Sequence, residues 1–346
     1  MPLKKFIIII FISVLVFMLQ DCMKKNNDVI QNSAVNSVPD LSVSYTYNNI
    51  KYPAHITNNL LAVDNTPVNN VITDNGASLG RVLFYDKHLS KNNTVSCSSC
   101  HNPALNFNDS AQLSKGFAGG FTTRHSMSLL NIRFYASGKM FWDERANTLE
   151  DQVLQPIQNT TEMGLTLQEL VAKVDSQSYY SALFQKAFGT MQVTTDRISK
   201  ALSQFVRSIV TYQSKYDLVK QGLANFTPDE QQGEIIFLTA GPIPCGGCHT
   251  PPMFVTSTPA QPFALIDAND RGINNQNRFK SGSLRNITSA INLFHNGSVR
   301  DITTMLNSNI PLHAVAPQDR ARILAFLQTL SDNTISTEPK FSNPFK

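Results

Sequence analysis

Apolar residues recur at intervals of three and four over two long stretches of the chain. One stripe runs from Ile198 to Val210 and another from Ile323 to Leu330. This spacing puts apolar side chains on one face of a helix, so it predicts a long helix over 198–210 and a last amphipathic helix over 323–330. The alternation that is typical of strands is weak throughout, which predicts a mainly α fold.

Several helix ends are marked by capping residues. Capping boxes occur from Thr166 to Glu169 and from Thr227 to Glu230, and each predicts the start of a helix. Gly189 follows an apolar segment and predicts a helix C-terminus, because glycine readily adopts the left-handed conformation found there.

The first residues carry the pattern of an export signal. Lys4 and Lys5 precede an apolar run from Phe6 to Leu19, which is shorter than the roughly 20 residues of a membrane span. We therefore interpret residues 1–22 as a signal and exclude them from the fold. Residues 23–66 are rich in Asn and Ser without a helical period, which predicts a tether and an irregular entry segment.

The composition is that of a folded protein with room for two domains. The 346 residues are 42% hydrophobic and 16% charged, which is enough for a sizeable core. The net charge of +4 is not concentrated in any run beyond the signal lysines, and this argues against nucleic acid as a partner.

Four of the five cysteines belong to two Cys-x-x-Cys-His motifs. Two thiols at this spacing add to the vinyl groups of a porphyrin while the adjacent histidine binds the iron, which is the haem c pattern. A zinc site or a redox dithiol needs no histidine at the fifth position, and here the pattern occurs twice. The sequence thus predicts two covalently bound haem c groups, attached at Cys97, Cys100, Cys245 and Cys248, with proximal iron ligands His101 and His249.

The repeated motif also predicts the domain organisation. Cys245 lies 148 positions after Cys97, so two cytochrome c-like haem domains in tandem are expected. We place the boundary near Asn225, with an N-terminal haem domain over 67–225 and a C-terminal one over 226–346. The last helix of the second domain is able to pack back on the first.

Cys22 directly follows the apolar run and leaves two interpretations open. In one, lipoprotein processing acylates this cysteine and anchors the protein at a membrane surface. In the other, the signal is cut elsewhere, since Asp21 fits poorly before a lipidated cysteine. Both predict a protein of the periplasm or cell envelope.

Several ordered motifs between about Gly80 and Asp332 carry a family resemblance. The chain resembles the bacterial di-haem cytochrome c peroxidases, a family that includes the MauG-type enzymes. The segments that carry the resemblance are Thr123 to Asn131, Phe141 to Ala146, Leu149 to Gln152, Pro156, Thr161 to Gly164, Phe279 to Asn286 and Phe294 to Ser298.

The resemblance implies a role for several residues around the first haem. Glu162 would be the distal acid or base, since breaking the O–O bond of peroxide needs a proton moved between its oxygens. Trp142 would relay electrons between the haems. Gln152 and Pro156 would line the pocket, and Arg124 would make a structural or haem-propionate contact.

Two departures from the family pattern change the expected resting state. Phe117 stands where many members carry a distal histidine that blocks the first haem, and phenylalanine cannot bind iron. We therefore expect a first haem that is open at rest and needs no reductive activation. His125 stands at the asparagine that helps to bind a calcium ion in the family, which puts a calcium site in doubt.

The distal ligand of the second haem is left open by the sequence. The family ligand, Met in peroxidases or Tyr in MauG-type members, falls on Asn309, a poor iron ligand. Met305 lies one helical turn earlier and His313 four residues later. Met305 is the preferred prediction, with His313 as the alternative.

The function implied by the resemblance is reduction of hydrogen peroxide to water. Electrons would come from an external donor protein such as a small cytochrome c or a cupredoxin. Two alternatives stay open: a MauG-type enzyme that oxidises residues of a partner protein, and a non-enzymatic electron carrier with both irons fully ligated. The resemblance also suggests a homodimer.

Overall fold

Short helices joined by long loops make up the described part of the chain. The structure is a computed structural model, and it describes residues 38–60, 63–241, 244–255 and 269–345. These ranges contain no β-strand, only isolated bridges, so the predicted mainly α fold is confirmed. The α-helices are α1 Ala54–Leu60, α2 Asp74–Tyr85, α3 Cys97–Cys100, α4 Leu149–Gln152, α5 Leu154–Gln158, α6 Leu167–Asp175, α7 Ser178–Phe188, α8 Thr195–Arg207, α9 Lys215–Lys220, α10 Pro228–Thr239, α11 Cys245–Cys248, α12 Ile302–Leu306, α13 Arg320–Gln328 and α14 Thr334–Thr337. Short 3₁₀ helices occur at Lys87–Leu89, Pro103–Leu105, Ile132–Phe134, Ile273–Asn275, Ile287–Ser289, Pro317–Asp319 and Pro339–Phe341.

The predicted capping residues set three of these boundaries. The side chains of Thr166 and Glu169 exchange hydrogen bonds with each other's backbone at the start of α6. Thr227 and Glu230 do the same at the start of α10. Gly189 ends α7 with φ 73°, in the left-handed region. These predictions are confirmed.

The long helix α8 begins and ends three residues earlier than its apolar stripe predicts. It ends at Arg207 with Ser208 as its C-cap, although the stripe continues to Val210. Ile209 and Val210 are still buried, but the carbonyl oxygen of Ile209 accepts a hydrogen bond from the Asn131 backbone N–H at 3.0 Å. A hydrogen bond to a distant loop thus replaces the next turn of helix.

The entry segment differs from its prediction as an irregular tether. Residues 54–60 form α1, in which Ile56 is fully buried, and Tyr47 is also buried in the same core. Burial of these side chains explains the difference, because packing readily overrides weak local propensity. The predicted signal and Cys22 lie outside the described residues.

Each Cys-x-x-Cys-His motif follows a helix that crosses a later helix at a glycine. An added Cβ at Gly80 of α2 would lie 2.0 Å from the Ala201 carbonyl oxygen of α8. An added Cβ at Gly233 of α10 would lie at the same 2.0 Å from the Arg322 carbonyl oxygen of α13. The two halves are therefore built on the same close helix crossing, as expected for tandem cytochrome c-like domains.

Two hydrophobic cores surround these crossings. The larger one contains α2 and α8, and the smaller one contains Phe237 of α10 with Phe254 and Phe326. The segment after α13 returns to the larger core, where Ile335 and Phe341 are buried.

Hydrogen bonds hold this returning segment. Tyr47 Oη donates to the Lys340 carbonyl oxygen at 2.8 Å, and Arg81 Nε donates to that of Ser342 at 2.7 Å. Tyr85 Oη donates to the Phe341 carbonyl oxygen.

The domain boundary near Asn225 stays a prediction.

A tight loop is also repeated in the two halves. Met140 and Ala146 bridge the first copy, in which Phe141 has φ 70°. Leu293 and Val299 bridge the second, in which Phe294 has φ 69°. Corresponding positions in these loops are 153 residues apart, as Phe141 and Phe294 show.

We expect Gly233→Ala to destabilise the smaller core. The new methyl group would meet a backbone oxygen that cannot move aside, and overpacking of this kind costs about 1–3 kcal/mol. Alanine gains only about 1 kcal/mol of helix propensity over glycine. Denaturant unfolding followed by circular dichroism should show a lower free energy of unfolding. Gln232→Ala, on the exposed face of the same helix, is the control, and equal stability of the two variants would contradict the prediction.

Candidate functional site

A cavity of about 650 Å³ lies beside the first Cys-x-x-Cys-His motif. Its volume falls in the range of small-molecule and cofactor sites. The structure brings together here the residues that the sequence assigned to the first centre. They are Cys97, Cys100, His101, Arg124, Trp142, Gln152, Pro156 and Glu162.

The two motifs have the same local geometry. Each is a single helical turn, α3 or α11, with a cysteine at either end and the histidine as its C-cap. Burial raises the pKa of the Cys97 thiol to about 12 and that of Cys100 to about 11. A redox dithiol needs a lowered thiol pKa, so these values disfavour that alternative.

Both motif histidines have the orientation of a metal ligand. His101 Nδ1 lies 3.3 Å from the Phe107 carbonyl oxygen, and His249 Nδ1 lies 3.1 Å from that of Gly282. In the tautomer that donates from Nδ1 to these carbonyls, the Nε2 lone pair is left for a metal. Ser126 Oγ lies 3.4 Å from His101 Nε2. Burial lowers the pKa of both imidazoles to about 4, so they are neutral at neutral pH. The residues of both motifs therefore fit a haem iron.

Zinc sites built from protein side chains alone are not supported. Among the described residues, no group of three or more His, Cys, Asp and Glu side chains is arranged to hold a metal ion.

Glu162 is held in the first cavity by a turn and a neighbouring loop. Its backbone N–H donates to the Asn159 carbonyl oxygen at 3.1 Å, and its carbonyl oxygen accepts from the Phe117 N–H at 2.9 Å. Gly116 lets the two loops touch, because an added Cβ there would lie 1.6 Å from the Thr161 carbonyl oxygen. The backbone around the carboxyl is thus fixed on both sides.

The charge state of Glu162 is set by two opposing effects. Burial raises the pKa of its carboxyl, and the positive charge of Arg145 lowers it. Arg145 also lines the cavity, with its guanidinium 3.5 Å from the centre of the Phe141 ring and 2.9 Å from Asp143. Sequence reasoning quoted Arg145 only as part of a motif and assigned it no role.

Phe117 does not line the first cavity. Its ring lies against Gly164, where an added Cβ would be 2.5 Å from the phenyl Cε1. The Phe117 carbonyl oxygen also accepts a hydrogen bond from Asn92 at 2.8 Å. The side chain at the family's blocking position therefore points elsewhere.

A second cavity, of about 220 Å³, lies beside the second motif. Cys245, Cys248 and His249 line it, and so do both predicted distal ligands, Met305 and His313.

One wall separates the two cavities. Trp142 lines both of them, as do His125 and Lys280. The Trp142 indole Nε1 donates to the His125 carbonyl oxygen at 2.8 Å, and the Lys280 backbone N–H donates to the Trp142 carbonyl oxygen at 2.8 Å. Both halves of the chain thus hold the tryptophan in place.

Arg124 ties this wall to a distant segment by two ion pairs. Its guanidinium lies 2.6 Å from Asp143 and makes a bidentate contact with Asp270, at 2.6 and 2.8 Å. The sequence predicted a structural or propionate contact for Arg124 but missed Asp270. No signal could have found it, because 146 residues separate the partners and Asp270 lies in no motif.

Hydrogen bonds to two other loops hold His125. Its Nδ1 lies 3.0 Å from the Gln112 carbonyl oxygen, and its backbone N–H donates to the His295 carbonyl oxygen.

Lys280 is a buried charge within the wall. Its side chain is 1% exposed, its Nζ lies 2.8 Å from Glu144, and it stands 4.3 Å from the centre of the Tyr135 ring. Burial lowers the pKa of the ammonium group, and Glu144 acts against this shift. Sequence reasoning missed this pair too.

A helical fold with two cavities, each lined by a Cys-x-x-Cys-His motif, is the arrangement expected of a di-haem protein of the cytochrome c kind. The family model for di-haem cytochrome c peroxidase matches residues 74–225. Cytochrome c551 peroxidase of Nitrosomonas europaea is 32% identical over 80% of this chain and 86% of the relative. The chain therefore belongs to the di-haem cytochrome c peroxidase family and is an oxidoreductase.

Other relatives carry MauG names. The methylamine utilization protein MauG of Methylorubrum extorquens is 31% identical over 60% of this chain and 58% of the relative. A solved MauG-like protein associated with microbial copper homeostasis is 29% identical, with a TM-score of 0.72 over 80% of this chain and 95% of that one. The di-haem peroxidase BthA of Burkholderia thailandensis, 20% identical with a TM-score of 0.67 over 81% of this chain and 92% of that one, shares the fold.

We expect Lys280→Met to lower the free energy of unfolding by about 3 kcal/mol, because it leaves Glu144 buried without its partner. Combining it with Glu144→Gln should recover part of the loss, since the unpaired charge is removed. Denaturant unfolding of both variants checks this, with the exposed Lys139→Met as the control. A double variant less stable than Lys280→Met would contradict it.

Proposed function

We propose that the protein reduces hydrogen peroxide to water at the first cavity, with electrons from an external donor protein. The observation that carries the proposal is the position of Glu162. Its carboxyl lines the same cavity as His101, and burial raises its pKa towards the range useful for acid–base work.

Two covalently bound haem c groups complete the proposed enzyme. Cys97 and Cys100 would hold one, Cys245 and Cys248 the other, with His101 and His249 as proximal ligands. Haem bound at these sites supplies the redox-active iron at which peroxide is reduced.

The protein's own part in the reaction is to move protons. Ionised Glu162 takes a proton from one peroxide oxygen and returns it to the other oxygen. The oxygen that receives the proton is then a good leaving group and departs as water. The complete reaction consumes one peroxide, two electrons and two further protons and yields two water molecules. Gln152 and Pro156 shape the cavity that holds the peroxide.

Trp142 is assigned the transfer of electrons between the two centres. Its indole lies in the wall that both cavities share, and hydrogen bonds from both halves of the chain fix it. Electrons from the donor enter on the side of the second motif.

We infer that the first centre is open at rest. Phe117 cannot bind iron, and its ring packs against Gly164 outside the cavity. Reductive activation is then unnecessary. The proposal does not depend on a calcium ion, because His125 stands at the asparagine that helps to bind one in the family.

The proposed site of action is the periplasm or cell envelope. The export-signal pattern of residues 1–22 supports it, and acylation of Cys22 would hold the protein at a membrane surface. No helix among the described residues is long and apolar enough to span a membrane. A small cytochrome c or a cupredoxin is the proposed donor, and the resemblance supports a homodimer.

A MauG-type oxidation of partner-protein residues is the second candidate. The MauG relatives and the open first centre favour it. Fast peroxide turnover with a reduced donor would support the peroxidase, because a MauG-type enzyme oxidises a protein substrate instead of the donor.

We expect Glu162→Gln to lower peroxide turnover by about 10²-fold or more, because general acid–base catalysis contributes about 10²–10⁴. The measurement is peroxide consumption by the holoprotein with reduced cytochrome c. Asp175→Asn, which removes the charge of an exposed carboxyl at the end of α6, is the matched control. Unchanged turnover in Glu162→Gln would remove this residue from the mechanism.

The rate should fall as the pH falls through the pKa of Glu162, because only the ionised carboxyl accepts a proton. Burial raises this pKa, so the acidic limb should lie above the usual range of glutamate. Arg145→Gln removes the charge that lowers the pKa and should move the limb to still higher pH. The pH profile of turnover checks this, with exposed Lys87→Gln as the control; a limb that stays in place or moves down would count against it.

A further inference from the structure

The second cavity offers two side chains that could reach an iron opposite His249. Met305 and His313 both line it, whereas Asn309, at the family ligand position, is exposed and does not. The identity of this ligand decides how easily the second centre accepts an electron.

The internal repeat shows which part of the chain covers each cavity. Thr148 caps α4 and Asp301 caps α12 in the same way, and these caps are 153 residues apart. By this offset Met305 corresponds to Gln152. The loop that follows α12 and carries His313 then corresponds to the loop that carries Glu162 in the first half. In both halves the side chain that faces the iron site, Glu162 or His313, would then come from this loop.

Met305 already has a structural role. It is half-buried and packs against the smaller hydrophobic core, beside residues such as Ile302 and Leu306 of its own helix. Methionine commonly fills such irregular gaps in a core.

His313 is presented to the cavity by a constrained loop. Leu312 has φ 64°, in the left-handed region, and the His313 N–H donates to the Ile310 carbonyl oxygen at 2.9 Å. The imidazole meets the Phe294 ring edge-on, with centroids 5.2 Å apart. Phe294 belongs to the repeated tight loop, so the backbone holds both rings.

His313 also lies within electrostatic range of His249. Both imidazoles line the second cavity. A neutral imidazole is the form that binds iron.

We propose that His313 is the distal ligand of the second haem iron, which makes this centre bis-histidine. The proposal rests on haem binding at this cavity, as proposed above, and not on peroxide reduction. Methionine as an axial ligand raises a haem potential, so a bis-histidine centre has a lower potential than the histidine–methionine alternative. The donor must then have a lower potential than a histidine–methionine centre would require.

The test is spectroscopic and uses the oxidised holoprotein. Near-infrared magnetic circular dichroism distinguishes bis-histidine from histidine–methionine ligation, and electron paramagnetic resonance reports the spin state. We expect no methionine-to-iron band in the natural protein and an unchanged second-haem spectrum in Met305→Leu. His313→Ala should convert this haem to high spin, and His313→Met should create the methionine band and raise the potential.

Two results would overturn the proposal. One is a methionine band in the natural protein that Met305→Leu removes. The other is a second haem that keeps its low-spin spectrum in His313→Ala. The mass of the protein distinguishes these two results from a failure of haem binding, because a protein that fails to bind the second haem would carry only one. Loss of peroxide turnover alone would count against the proposed activity and leave the ligand assignment standing.

Discussion

The hydrogen bond from the Lys280 N–H to the Trp142 carbonyl oxygen fixes the wall on which both cavities depend. It joins the tight loop of the first half to a segment of the second. The same segment reaches His249 two residues later, through the Gly282 carbonyl oxygen. One stretch of backbone therefore holds both His249, the proposed proximal ligand of the second centre, and the tryptophan that lines both cavities.

Ion pairs around this wall oppose the separation of the two halves. Lys280 is almost fully buried and requires Glu144, while Arg124 requires Asp143 and Asp270. Moving the two halves apart would expose these charges or leave them without partners, and an unpaired buried charge destabilises the folded state. The geometry between the cavities is thus protected by ion pairs rather than by apolar packing alone.

Much of the site could be predicted from sequence because its chemistry is local. The Cys-x-x-Cys-His motifs and the capping boxes each lie within a few residues. Contacts between distant segments could not be predicted, as Arg124 with Asp270 shows. The early end of α8 at Arg207 and the helix at Ala54–Leu60 have the same cause, since long-range hydrogen bonds and burial decided both.

The repeat explains how similar halves come to differ. Both are built on a helix crossing at a glycine, and both place a loop over the cavity. The side chains on those loops differ, with Glu162 in one half and His313 in the other. One framework thereby provides a centre suited to chemistry and a centre suited to electron transfer.

The return of residues 335–341 to the larger core changes how the chain can be divided. The hydrogen bonds from Tyr47, Arg81 and Tyr85 tie this segment to the first half of the chain. The smaller core is therefore an insertion clamped at both of its ends. Deleting the last dozen residues would therefore damage the half that carries the first motif, although these residues follow the second motif in the sequence.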